Sequence, residues 1–205
     1  MHSRFTRPVQ SFAGYIFDCD GTLADSMPLH HESWQFSLRE CGAPFDFNWE
    51  LFASRGGMPL EQTVLELNRQ FDCKLDAARI AALQRVHFEA RIKDLQPIRE
   101  VTDFAHEMSR VSPVSVASGN LRLQVIHSLE AIGVGEIFDI IITPEQVQHG
   151  KPHPDMFLLA AERMGVAPQD CLVLEDSPLG IEAAKRAGMS WALVREALPM
   201  TGKTR

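Results

Sequence analysis

From Glu100 to Val194 the chain alternates helical and strand patterns, and that alternation limits the fold more than anything else in its 205 residues. Stretches with helical spacing cover Glu100–Arg110, Leu121–Ile132, Pro154–Met164 and Pro178–Ala187, the last closed by Gly188. Between them lie short apolar runs at Val114–Ala117, Phe138–Ile142, Cys171–Leu174 and Trp191–Val194. Strands separated by helices pair in parallel, so the fold class is α/β, a doubly wound parallel sheet. A further run, Gly14–Asp18, joins this sheet as its first strand. Helices are predicted over Met27 to about Cys41, Asn48–Ser54, Leu60–Phe71 and Asp76–Lys93, with almost no strand signal among them. Residues 27–93 therefore read as a helical insertion, and residues 1–26 with 94–205 as the α/β core.

Composition narrows the function. Hydrophobic residues make up 45% and charged residues 23%, as in ordinary globular proteins. A net charge of −7 argues against general binding to nucleic acid or an anionic membrane, while leaving room for one small anion in a local basic pocket. Cysteines at 19, 41, 73 and 171 form no C-x-x-C pair, which suits a reducing cytoplasm. No apolar run approaches the roughly 18 residues of a membrane span, and the first residues do not read as a signal peptide. A cytoplasmic monomer that handles a small metabolite is the expectation.

The first strand ends in Asp18-Cys19-Asp20-Gly21-Thr22. Alternation along an extended chain points Asp18 and Asp20 the same way until Gly21 lets the backbone turn. Two anions so close call for a cation between them or a proton on one of them. The competing reading is a turn in which both aspartates bond local amides. An EF-hand is excluded, because the sixth and twelfth positions from Asp18 hold Leu23 and Leu29. Ser26 is predicted to cap the next helix, with Pro28 in its first turn. Ser26, His30 and Trp34 share one face of that helix at four-residue spacing. In the insertion, Ser54-Arg55-Gly56-Gly57-Met58-Pro59 is a flexible turn carrying a cation.

Ligands of open parallel sheets sit at the carboxyl ends of the strands. Besides Asp18 and Asp20, those ends carry Ser118-Gly119-Asn120, where free amides at a helix start suit a phosphate, and Glu175-Asp176-Ser177-Pro178-Leu179-Gly180. Lys151 lies in the proline-stiffened loop Gly150–Asp155. Each piece alone reads equally as a helix cap or a surface charge. Together they offer carboxylates for a hard divalent ion, for which magnesium is the natural choice, and a lysine with a hydroxyl-and-amide nest for a phosphate.

The series Asp18-x-Asp20-Gly21-Thr22, Ser118, Lys151 and Glu175-Asp176 resembles the four ordered motifs of the haloacid dehalogenase superfamily of phosphotransferases. The insertion is similar to that superfamily's helical cap. Asp25-Ser26 with His30 and Trp34, and the stretch from His149 to Val166, resemble its beta-phosphoglucomutase and fructose-1-phosphate phosphatase branch. The resemblance implies that Asp18 is a nucleophile and Asp20 an acid and base. It implies that Mg2+ is held by Asp18, the carbonyl of Asp20 and Asp176, with Glu175 ordering metal-bound water. It further implies that Ser118, Gly119, Asn120 and Lys151 hold the transferring phosphoryl group, with His30, Trp34 and Arg55 as cap contacts to the substrate. Asp20 favours phosphate-ester chemistry over dehalogenation. The implied activity is a phosphatase acting on a small sugar phosphate. A phosphomutase is the alternative, although Phe52–Met58 departs from the longer polar loop of the mutases. A non-catalytic binding protein on the same scaffold is a third reading, which intact Asp18 and Asp20 disfavour.

Overall fold

The structure is a computed structural model that describes residues 3–56 and 58–195, so Gly57 of the Ser54–Pro59 turn and the segment from residue 196 onward lie outside it. Five strands form one parallel sheet: β1 (Gly14–Phe17), β2 (Val114–Ala117), β3 (Ile140–Ile142), β4 (Cys171–Glu175) and β5 (Ser190–Leu193), in the order β3-β2-β1-β4-β5. The order reverses at β1, the switch point where such sheets bind ligands. Phe17 is level with Val116 on one side and Leu174 on the other. This register brings Asp18, one residue on, beside Glu175.

Alternation along the central strands loads both faces. Tyr15, Phe17, Val114, Val116, Leu172 and Leu174 point to one face, where they meet Val101 and Phe104 of α5 (Arg99–Ser109) and Val125 and Leu129 of α6 (Arg122–Ala131). Ile16, Ala117 and Val173 point to the other, against Met156 and Phe157 of α7 (Asp155–Met164) and Ala183 and Ala184 of α8 (Pro178–Arg186). The third strand is shorter than the apolar run at Phe138–Ile142 suggests. A 3-10 turn at Gly135–Ile137 comes first, and the Phe138 ring packs against Phe17, with centroids 5.7 Å apart.

Between β1 and α5 stand α1 (Met27–Glu40), α2 (Trp49–Ala53), α3 (Leu60–Phe71) and α4 (Ala77–Arg91). The Asp76 side chain accepts hydrogen bonds from the Ala78 and Arg79 amides and starts α4. Trp34, Leu38, Phe47, Val64, Leu67 and Ile80 form an interior belonging to this helical layer. Its base is tied to the sheet side of the molecule: Leu29 of α1 and Phe88 of α4 are buried in the same cluster as Leu95, Ile98 and Leu129. Among the described residues no helix is long and apolar enough to cross a membrane.

Phe88 is 1% exposed and stacks on His30 with ring centroids 4.4 Å apart. Truncating it empties a site where two layers meet. Phe88→Ala is expected to cost about 3–5 kcal/mol in urea denaturation, and a cost below about 1 kcal/mol would show that the helical layer does not depend on this anchor.

Candidate active site

β1 runs out at Asp18, whose amide donates to the Leu174 carbonyl at 2.9 Å, the last ladder bond before the chain turns. Beyond it the two aspartates part company. Asp18 Oδ1 accepts from Lys151 Nζ at 2.6 Å, and the same ammonium donates to Glu175 Oε2 at 2.6 Å. Asp20 accepts from different donors: Ser26 Oγ (2.6 Å) and His30 Nε2 (2.9 Å) on Oδ1, and Asn120 Nδ2 (2.7 Å) on Oδ2. Cys19 between them turns its thiol into the apolar core and is fully buried.

The charges follow from burial and neighbours. Burial first, then the Glu175 charge, raises the Asp18 carboxyl to about 8 against the pull of Lys151. Asp176 is likewise pushed well above the usual carboxylate range by burial, then by Asp18 and Glu175. Burial alone would lower the Lys151 ammonium, but Asp18 and Glu175 outweigh it and hold it charged. Asp20 goes the other way. Burial opposes its charge, yet the hydrogen bonds and charge of His30, with those of Ser26 and Asn120, bring its carboxyl below the ordinary value.

Two glycines make room for these acids. A Cβ on Gly21, whose φ of +80° already favours glycine, would come within 2.2 Å of Asp176 Oδ2. A Cβ on Gly180 would lie 2.0 Å from the Glu175 carboxyl carbon. Glu175 is therefore seated against the first turn of α8. Ser177 holds its Oε1 through both amide (3.1 Å) and hydroxyl (2.7 Å).

Among the described residues, Asp18, Glu175 and Asp176 can bring ligand oxygens within 4.8 Å of one another. All three are hard, anionic donors, and the bare Cα of Gly21 is what gives Asp176 its place. Such a donor set suits a hard divalent cation.

The structure gathers Asp18, Asp20, Asn120, Lys151 and Glu175, and His30 joins them through Asp20. Ser118 is buried behind the same strand ends, its hydroxyl accepting from the Asn120 amide at 3.2 Å, while the adjacent Gly119 is exposed. Trp34 is placed elsewhere. It is 8% exposed and packs on Phe47 at 5.5 Å in the interior of the helical layer, not on a cleft wall. Arg55 is engaged within its own layer by the Leu51 carbonyl, Ser54 Oγ and Gln70 Oε1. Ser26 occupies the N-cap position but does not cap α1. Its backbone is at φ −94° and ψ −15° rather than extended, and its hydroxyl goes to Asp20, a charged acceptor. Two functional placements escaped sequence reasoning: the side chain of Asn120 on Asp20, and Gly180 as the seat of Glu175. A glycine in the first turn of α8, where alanine forms helix better, was the available signal for the second.

A model of the family described as haloacid dehalogenase-like hydrolase matches residues 15–194. The chain belongs to the haloacid dehalogenase-like hydrolases. Within this family it is 32% identical over 189 residues to the fructose-1-phosphate phosphatase of Escherichia coli, spanning 91% of this chain and 98% of that one. It is 25% identical to the beta-phosphoglucomutase of Bacillus subtilis over 91% of this chain and 85% of that one. A crystal structure of a conserved haloacid dehalogenase-like protein of unknown function from Agrobacterium tumefaciens superposes with a TM-score of 0.74, at 28% identity, covering 88% of this chain and 82% of the other. The chain is thus an enzyme of a hydrolase family, with a phosphatase among its relatives.

Two outcomes test the haloacid dehalogenase-like site as drawn. Helix propensity alone makes Gly180→Ala stabilising, but the clash with Glu175 should instead lower stability by about 1–3 kcal/mol, read from thermal melts. A raised melting temperature would show that Glu175 has other room. The second outcome concerns pH. Because the folded-state value of Asp18 is raised from 3.8 to about 8, its contribution to stability is full below the lower value and is lost progressively as pH rises to the upper one. A divalent cation favours the ionised carboxylates, so the melting temperature gained on adding it should be larger at pH 8 than at pH 5. Equal gains, or none, would remove the carboxylate trio as a cation site.

Proposed function

We propose that this chain is a magnesium-dependent phosphatase of small phosphorylated sugars, working through a phosphoryl group carried on Asp18. The observation that carries this reading is the separation of two aspartates with a single residue between them: Asp18 on Lys151, and Asp20 on its own three donors. One can act as nucleophile while the other manages a proton.

In this reading an Asp18 oxygen forms a bond to phosphorus as the ester P–O bond breaks. The electron pair leaves on the ester oxygen, which takes a proton from Asp20. Water then attacks phosphorus, gives its proton to Asp20, and frees Asp18 and inorganic phosphate. An anionic phosphate beside Asp20 raises its proton affinity, which lets a group held ionised at rest serve as the acid with substrate bound. Lys151, the Ser118 hydroxyl and the amides of Gly119 and Asn120 hold the transferring oxygens. Asp18, Asp176 and the carbonyl of Asp20 would hold magnesium. When bound, magnesium offsets the anionic charge and orients the phosphate. Glu175, with both oxygens engaged by Lys151 and Ser177, fixes the lysine and adds its charge to the cation site.

Residues 27–93 form the cap on a core of 1–26 and 94–205, closing over the cleft and limiting it to small substrates. His30 and Arg55 are its candidate substrate contacts, whereas Trp34 serves the cap's interior. Similarity to the E. coli fructose-1-phosphate phosphatase makes fructose 1-phosphate the first substrate to try. The B. subtilis mutase relative supports the second reading, in which a sugar hydroxyl takes the place of water.

The test uses purified protein with magnesium and a panel of sugar phosphates including fructose 1-phosphate and beta-glucose 1-phosphate. Phosphate release should fall by about three orders of magnitude or more in Asp18→Asn and cease on chelation. Turnover that survives either change sinks the proposal. Glucose 6-phosphate accumulating from beta-glucose 1-phosphate with a bisphosphate primer, without free phosphate, identifies a mutase instead.

A further inference from the structure

We infer that the Asn120 side chain is the positioning residue for Asp20, holding its carboxyl from the sheet side so that its proton is presented to the departing ester oxygen. The inference rests on the reading of Asp20 as the acid that protonates the departing ester oxygen.

The two oxygens of Asp20 are held from opposite parts of the chain. Oδ1 accepts from Ser26 and His30, both at the start of the helical insertion. Oδ2 accepts only from Asn120 Nδ2, at 2.7 Å, among the described residues. Asn120 follows β2, which pairs directly with the strand that delivers Asp20. This bond therefore joins two neighbouring strand ends of one sheet and involves no residue of the helical layer. Asn120 is itself fixed, because its amide donates to the hydroxyl of buried Ser118.

The orientation of the amide follows from its partner. An ionised carboxylate has no proton to donate, so Asn120 must face it with nitrogen. That contact anchors Oδ2 from the sheet side, while Ser26 and His30 anchor Oδ1 from the helical insertion. In the transfer the O–H bond of the Asp20 carboxyl breaks as the ester oxygen gains that proton, and the P–O bond breaks as Asp18 bonds to phosphorus. Without Asn120 the carboxyl loses its sheet-side donor and is held through Oδ1 alone, so its plane is no longer fixed from both ends. A phosphate-gripping role for this loop uses the main-chain amides of Gly119 and Asn120, which truncation of a side chain leaves in place.

The experiment compares wild type, Asn120→Ala and Asp20→Ala in the rate of enzyme phosphorylation, measured by rapid quench in magnesium. Two esters are used: the fastest sugar phosphate of the panel, whose alkoxide needs a proton, and p-nitrophenyl phosphate, whose phenolate leaves without one. Circular dichroism confirms that each variant is folded. The ratio of sugar-phosphate rate to nitrophenyl rate should drop at least about tenfold in Asn120→Ala, in the same direction as in Asp20→Ala. A wild-type ratio in Asn120→Ala overturns the inference, whether both rates fall together, as for a structural or phosphate-holding role, or neither falls. A wild-type ratio in Asp20→Ala is a separate failure, since it removes Asp20 as the acid without involving Asn120.

Discussion

One buried ammonium holds the centre of this molecule together. Lys151 reaches two carboxylates at 2.6 Å each, Asp18 from β1 and Glu175 from β4, and all three side chains are almost withdrawn from solvent. Taking so much charge out of water is costly, and the cost is tolerable only where geometry is close and the remaining oxygens are satisfied. That condition explains the surroundings. The parallel register sets Asp18 beside Glu175, Ser177 occupies the oxygen of Glu175 that Lys151 does not, and the Phe157 ring lies 5.2 Å from the ammonium. Two carboxylates already outnumber the one ammonium, and Asp176 adds to the excess, so burial and mutual repulsion raise Asp18 and Asp176 together. The site is built with an excess of anionic oxygen that a hard cation would relieve.

Close packing of acids against backbone has a steric counterpart. Gly21 and Gly180 are bare because Asp176 and Glu175 lie where their side chains would be. At Gly21 the requirement is doubled by its positive φ. At Gly180 it opposes helix propensity, so α8 gives up some intrinsic stability to let Glu175 reach Lys151. The glycines are thus part of the electrostatics.

Much of this arrangement was legible in the chain. Strand and helix patterns alternate plainly after Glu100, and five strands in parallel follow from them, with the acids at the ends where β1 and β4 stop. Register then brings together residues from 18, 118, 151 and 175 without any further signal. Helical spacing was less informative. Ser26, His30 and Trp34 share a face, yet each four-residue step also rises about 6 Å along the axis. By the second step the helix has left the acidic strand end, and the same face meets Phe47 instead. Nor does a sequence show which of several acceptors a short hydroxyl or amide will choose. Ser26 had a helix start to cap and Asn120 a turn to close, but a desolvated carboxylate is the stronger acceptor, and both side chains went to Asp20.

The segments that lead into and out of the helical insertion are bonded to each other. Asp25 donates its amide to the Gln96 carbonyl, Ile98 donates to Leu23, and Ala24 pairs with Pro97. They form a short two-stranded stem, so neither side can swing alone. Ser26 leaves this stem directly, and His30 sits one helical turn beyond it, backed by the buried face of Phe88. Any displacement of the helical layer about the stem therefore acts first on the two donors to Oδ1 of Asp20. The bond from Asn120 to Oδ2 lies wholly on the sheet side. The acid is consequently held by one contact that belongs to the fold and two that depend on the helical layer. Its environment is tied to the position of that layer through a few ångströms of hydrogen bonding, with no need for a long chain of intermediaries.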